Sequence, residues 1–211
     1  MFIGSLIVIV LIAYVKGAPL VPERIIDMFN REPYLASYAE VVGIGGLPLL
    51  ISIIRRDDPR IYGPRKQGLF KSLVLSLSFA IVMLVITIHD KLYFENFNLE
   101  FPYNIWYAVL GVLAYGPLEV FFVIWLIVNT DAIFSTLEKI FSPGLLITVL
   151  VFGLSHIFLS PMGGLLNAVK VTGVFMVLGF IFKYTRNSIG PMIARTLVNG
   201  QVLRLLIGCL T

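Results

Sequence analysis

Four polar residues draw attention because of where they sit: Glu119, His156, Arg195 and Asn199 each interrupt an apolar run. Ionisable side chains inside membrane segments are costly to bury, and they mark pairing, proton movement or substrate handling. A carboxylate and an imidazole can take a proton from water, while a guanidinium and a carboxamide can donate to a developing negative charge. Arg195 and Asn199 are four residues apart, as are Phe152 and His156, so each pair shares a helix face. Ser155 beside His156 is not expected to form a nucleophile–base pair, because neighbours on a helix point about 100° apart.

The elements that must carry these residues follow from composition. Of 211 residues, 58% are hydrophobic and only 13% charged, with a mean hydropathy of +0.94. A soluble domain carries about 25% charged residues. The fold class expected is all-α: a polytopic transmembrane helical bundle of about seven helices, or eight, enclosing a polar cavity and forming a single membrane domain. Apolar segments run over Phe2–Val15, Leu35–Ile54, Lys71–Ile88, Tyr103–Val128, Gly144–Leu159, Leu165–Phe182 and Ser188–Ile207. The spacing of Ile25, Ile26, Met28 and Phe29 among Glu23, Arg24, Asp27 and Arg31 predicts a short amphipathic surface helix over Pro22–Arg31, ended by Pro33.

Gly43, Gly45, Gly46 and Pro48 predict close packing or a kink in the second segment, and Gly116-Pro117 a kink in the fourth. Gly173 and Gly179 predict close packing of the sixth. Asn129–Pro143 and Lys183–Asn187 read as connecting loops, and Ser160–Gly164 as a tight turn. Lys170 and Arg204 are near enough to helix ends to extend their charges to the interface.

Loop charge predicts the orientation. With the N-terminus inside, the inner loops hold nine Lys/Arg (Arg55, Arg56, Arg60, Arg65, Lys66, Lys71, Lys139, Lys183, Arg186) and the outer loops four. This favours an integral protein of the cell membrane with a cytoplasmic N-terminus. From the helix ends on that side, at about 1.5 Å per residue, Glu119 lies about 15 Å deep, His156 about 18 Å, Arg195 about 10 Å and Asn199 about 16 Å. Three helices therefore bring rare polar residues to one layer.

Several chemistries are disfavoured. Cys209 is the single cysteine, the histidines are His89 and His156, and no HExxH occurs, so no metal or other cofactor is expected. No basic stretch interleaved with aromatics is present, so nucleic acid is not an expected partner. The expected partners are membrane lipids.

Phe152-Gly153-Leu154-Ser155-His156 resembles the FxxxH motif of the CAAX protease and bacteriocin-processing family (CPBP, also called Abi). The stretch Val177 to Phe180 and Ser188 to Asn199 resembles its third motif region, HxxxN or HxxxD, and Gly116-Pro117-Leu118-Glu119-Val120 resembles the first, EExxxR. Order and spacing agree over roughly residues 105–200, the CPBP-like core. The resemblance implies a glutamate-type intramembrane endopeptidase acting on prenylated C-terminal tails or other membrane-embedded peptides. Carried over residue by residue, it makes Glu119 the general base, His156 its partner in activating water, and Asn199 an oxyanion donor.

Three positions depart from that pattern. Val120 stands for the second glutamate, Ile124 for the arginine, and Arg195 for the third-motif histidine. Arginine donates but cannot relay a proton. It could stabilise an oxyanion, or it could hold Glu119 in an ion pair and make it a poorer base. Two alternatives to a peptidase of reduced or lost activity therefore stay open: a proteolytically silent scaffold that binds a peptide or lipid, and a small proton-linked transporter using Glu119 and His156. An enzyme requires a water-accessible Glu119, a scaffold a dry Glu119–Arg195 contact, and a transporter a path to both faces.

Overall fold

A computed structural model of the chain describes residues 2–32, 35, 38–39, 41–89, 107–159 and 164–199. Among them are eight α-helices and no strand: α1 (Phe2–Val15), α2 (Pro22–Arg31), α3 (Leu47–Arg55), α4 (Leu69–His89), α5 (Glu119–Ile133), α6 (Pro143–Leu159), α7 (Gly164–Thr185) and α8 (Ile189–Val198). The all-α fold expected from composition is what the chain adopts. Each of the seven apolar segments contains a helix, and the amphipathic stretch is the eighth, α2. Among the described residues three stretches are long and apolar enough to cross a membrane: Leu69–Ile86, Val109–Ile133 and Gly164–Thr185. Leu69–Ile86 has a mean hydropathy of 2.4 with only 17% of it buried. A helix that apolar and that exposed is at home with lipid as its solvent.

The helices fall into two compact units. The first comprises Met1–Arg56, Ile81–Glu119 and Arg195–Thr211. Here the glycines of the second apolar segment act as expected. A π turn over Val41–Gly46 leads into α3, and a Cβ on Gly45 would stand 2.6 Å from the Cβ of Leu118. Gly4 of α1 likewise faces Gly43, so backbones approach where side chains are absent.

The second unit comprises Asp57–Ala80 and Val120–Ala194. Its core is aromatic and branched: Phe152 packs on Phe122 and Phe175 with ring centroids 5.9 and 4.9 Å apart, near buried Ile127, Leu145 and Val149. Gly153 lets α6 approach Thr172 and the Ala168 carbonyl of α7, and Gly179 admits Leu145 and Ile127. Gly173 does not fulfil its expectation. Nothing lies within 4 Å of where its Cβ would be, because it points away from the helices α7 packs on.

Two element boundaries are corrected. α5 continues past Val128 to Ile133, and α7 continues past Phe182 to Thr185. Lys183 is therefore not a loop charge. It is 2% exposed, with Nζ 2.5 Å from Asp131 Oδ2 and 2.9 Å from the Leu137 carbonyl oxygen. A compensated ammonium lets the helix run on through a position that reads as its solvated end. Residues 90–100, the Ser160–Gly163 part of the expected turn, Pro33, Cys209 and Arg204 lie outside the described residues.

The start of α8 is fixed within the second unit. Asn187 Oδ1 accepts from the Ile189 amide at 3.0 Å, which caps the helix, while its Nδ2 donates to the carbonyls of Arg65 and Gln67. Ser72 Oγ donates to the Asn187 carbonyl at 3.1 Å, and Gly63, at φ 92°, accepts the Ser188 amide on its own carbonyl at 3.1 Å. That left-handed conformation suits glycine.

Candidate functional site

Glu119 opens α5 directly after a π turn over Ala114–Leu118. The cause is local. Pro117 has no amide hydrogen and its ring crowds the preceding turn, so the regular i→i−4 ladder cannot pass through it. The Glu119 amide donates instead to the carbonyls of Ala114 and Gly116. The kink expected at Gly116-Pro117 is this change of register, and it sets the carboxylate at the head of a fresh helix.

Arg195 and Asn199 meet this turn from α8 and its end. Arg195 grips Glu119 with a two-pronged fork, Nε to Oε2 at 2.7 Å and Nη2 to Oε1 at 3.1 Å. Glu119 is 2% exposed and the arginine side chain 12%, so the contact is nearly dry. Fork-to-carboxylate geometry gives two charge-assisted bonds at once, which lysine or histidine could not reproduce. One turn on, Asn199 Nδ2 donates to the Tyr115 carbonyl at 2.5 Å, inside the π turn. Between them Thr196 lies over Gly116, where a Cβ would collide with its side chain. Three contacts thus lock the end of α8 onto the Gly116–Glu119 turn: an ion pair, a glycine approach and an amide–carbonyl bond.

His156 belongs to the second unit. Its Nδ1 lies 2.9 Å from the Phe152 carbonyl oxygen, one turn back on α6, and its ring meets Phe152 edge-on at 5.0 Å. A carbonyl only accepts, so Nδ1 is the donor in this contact and Nε2 is the ring nitrogen left out of it. Ser155 Oγ donates to the same carbonyl at 2.6 Å and stands 3.4 Å from Nδ1, closer than side chains pointing about 100° apart on a helix are expected to come. The serine and the phenylalanine of the FGLSH stretch thus orient the histidine. Val120 and Ile124, at the positions where the resembled motif carries a glutamate and an arginine, are each 1% exposed and form part of the apolar core.

A family model for type II CAAX prenyl endopeptidase Rce1-like proteins matches residues 101–201. Over these residues the chain is similar to the CAAX protease family. No curated protein and no solved structure matches the chain. The CAAX protease segment contains Glu119, His156, Arg195 and Asn199, and with the apolar helices it makes the chain a CAAX protease-like integral membrane protein.

The same segment holds a second buried polar centre that the sequence reading missed. Asp131 is fully buried and accepts four bonds: from Thr136 Oγ1 at 2.9 Å, Ser142 Oγ at 2.8 Å, the Gly144 amide at 2.8 Å and Lys183 Nζ at 2.5 Å. The available signal was two lone charges of opposite sign at the edges of neighbouring apolar runs, Asp131 after Asn129-Thr130 and Lys183 after Phe182. Both were placed in loops, where they would need no partner. Among the described residues no three His, Cys, Asp or Glu side chains converge.

Proposed function

We propose that the chain is a glutamate-type intramembrane endopeptidase by descent, that it takes prenylated tails or other membrane-embedded peptides, and that Arg195 holds its hydrolytic carboxylate out of use. The observation that carries this reading is the dry, two-pronged Glu119–Arg195 contact. A general base must present a free lone pair to water. Here both carboxylate oxygens accept from a side chain that cannot give up a proton in exchange. Peptide binding is retained and hydrolysis is slow or lost. The family match supports the substrate class, and the Phe152 carbonyl and ring, which orient His156 through Nδ1, support it as a positioned imidazole. Asn199 has its amide committed to Tyr115, which supports a role in holding the turn more than one at an oxyanion. With Lys183 taken out of the count as a buried helix residue, eight inner-loop Lys/Arg against four still support a cytoplasmic N-terminus.

The same contact favours a second reading, a silent scaffold that binds peptide without cutting it. Cleavage of prenylated and unprenylated membrane peptides by the purified protein separates the two, run beside Glu119→Ala, His156→Ala and Arg195→His. The expected result is weak or absent cleavage that rises by about 10²-fold or more in Arg195→His, the usual worth of a restored general acid–base group. That gain should disappear when Glu119→Ala is added. No cleavage in any folded variant would sink the peptidase reading and leave the scaffold.

A further inference from the structure

The turn between α1 and α2 forms a charged groove that neither family motif includes. It is an open concavity of about 260 Å³ lined by Lys16, Arg24, Asp27, Met28, Arg31 and Glu32, with Ala18 and Pro19 at its end. Four of its five charges are already matched. Lys16 Nζ is 2.6 Å from Glu32 Oε2, and Arg31 Nη2 is 2.8 Å from Asp27 Oδ2. Among the described residues Arg24 is the cation left over, on the exposed side of α2. The groove therefore carries one uncompensated positive charge on a planar, multi-donor head, the group best suited to grip a phosphate oxygen pair.

Its level in the membrane follows from the elements around it. α1 is uniformly apolar up to Val15 and stops at Lys16, so the water boundary lies there. The chain neighbours of its lining residues carry unburied apolar side chains: Tyr14 is 82% exposed, Val15 81%, Leu20 60% and Ile26 52%. An apolar rim at the end of a lipid-exposed helix, over a floor with one excess guanidinium, matches a glycerophospholipid with its acyl chains along the rim and its phosphodiester at Arg24.

We propose that this groove is a binding site for the phosphodiester headgroup of an anionic phospholipid, with Arg24 as its principal ligand and α2 as the interfacial helix that presents it. The paired Lys16–Glu32 and Asp27–Arg31 bridges shape the groove and leave its net charge at a single positive unit. Lipid, not free phosphate, is the ligand, because the exposed rim has no use for an ion without chains.

The test uses the full chain in nanodiscs of phosphatidylcholine doped with phosphatidylglycerol, with bound lipid counted by native mass spectrometry. The natural protein should retain phosphatidylglycerol over phosphatidylcholine. Arg24→Gln should reduce that preference by about fivefold, the usual worth of one basic residue at an anionic surface. Lys66→Gln, an exposed cation in the basic loop, should leave it unchanged. Arg24→Lys should recover part of it, since charge returns without the fork. Equal losses in Arg24→Gln and Lys66→Gln would overturn the site in favour of diffuse attraction. Displacement of the lipid by millimolar inorganic phosphate would overturn the lipid assignment. All substitutions are at exposed positions, so folding is expected to be undisturbed.

Discussion

Asp131 and Glu119 are both buried carboxylates facing one cation, yet they are secured differently. Asp131 takes bonds from four separate groups: two hydroxyls, an amide and Lys183. Its acceptor capacity is filled by a loop folded around it, and its lysine is further tied to the Leu137 carbonyl. Among the described residues both hydrogen bonds to Glu119 come from one side chain, Arg195. A carboxylate saturated from four directions is a fastening for the chain around it. A carboxylate held by one removable partner beside a π turn is a group whose state a single substitution can change.

The contrast predicts a graded response in thermal unfolding of the detergent-solubilised protein. The largest effect belongs to Asp131→Ala, which leaves Lys183 uncompensated at 2% exposure and strands three donors. A loss of about 3–5 kcal/mol is expected, the usual cost of breaking a buried pair. Lys183→Met should cost less, because three donors to Asp131 remain. If Asp131→Ala were no worse than an exposed substitution, the picture of a fastening would be wrong.

Glu119→Gln comes next, at about 1–3 kcal/mol, since Arg195 keeps some access to solvent and part of its hydrogen bonding to the amide. Adding Arg195→Met should recover most of that loss, as replacing both members of a buried pair by neutral groups is often nearly neutral. A double variant no more stable than Glu119→Gln would mean the two residues are not energetically coupled. The smallest effect is expected for Asn199→Ala, about 1 kcal/mol for one interhelical bond to the Tyr115 carbonyl. A Tm unchanged by that substitution would remove the amide from the set of contacts that lock α8 onto the turn.

Much of this architecture was legible from local pattern. The seven apolar segments and the surface helix over Pro22–Arg31 follow from transfer of side chains to lipid and from helical period, both of which act over a few residues. The π turn follows in the same way, because Pro117 lacks its amide hydrogen wherever it is placed. Lys183 was misread because a charge at the end of an apolar run resembles a solvated boundary unless its partner is known, and Asp131 is 52 residues away. Gly173 and Gly179 have the same residue type and lie on the same helix, yet only the second touches a neighbour.

The sequence by itself determined that this is a helical membrane protein with ordered motifs resembling those of the CAAX protease family, and that Glu119, His156, Arg195 and Asn199 are polar residues interrupting its apolar runs. Tertiary structure alone decided that Arg195 closes on Glu119 across 76 residues and that Asn199 spends its amide on a backbone carbonyl. The physical reason is that a charge in an apolar run announces the need for a partner but not its identity. Which partner it meets depends on helix rotation and register, and those are set by contacts such as Thr196 over Gly116, made by residues far apart in the chain.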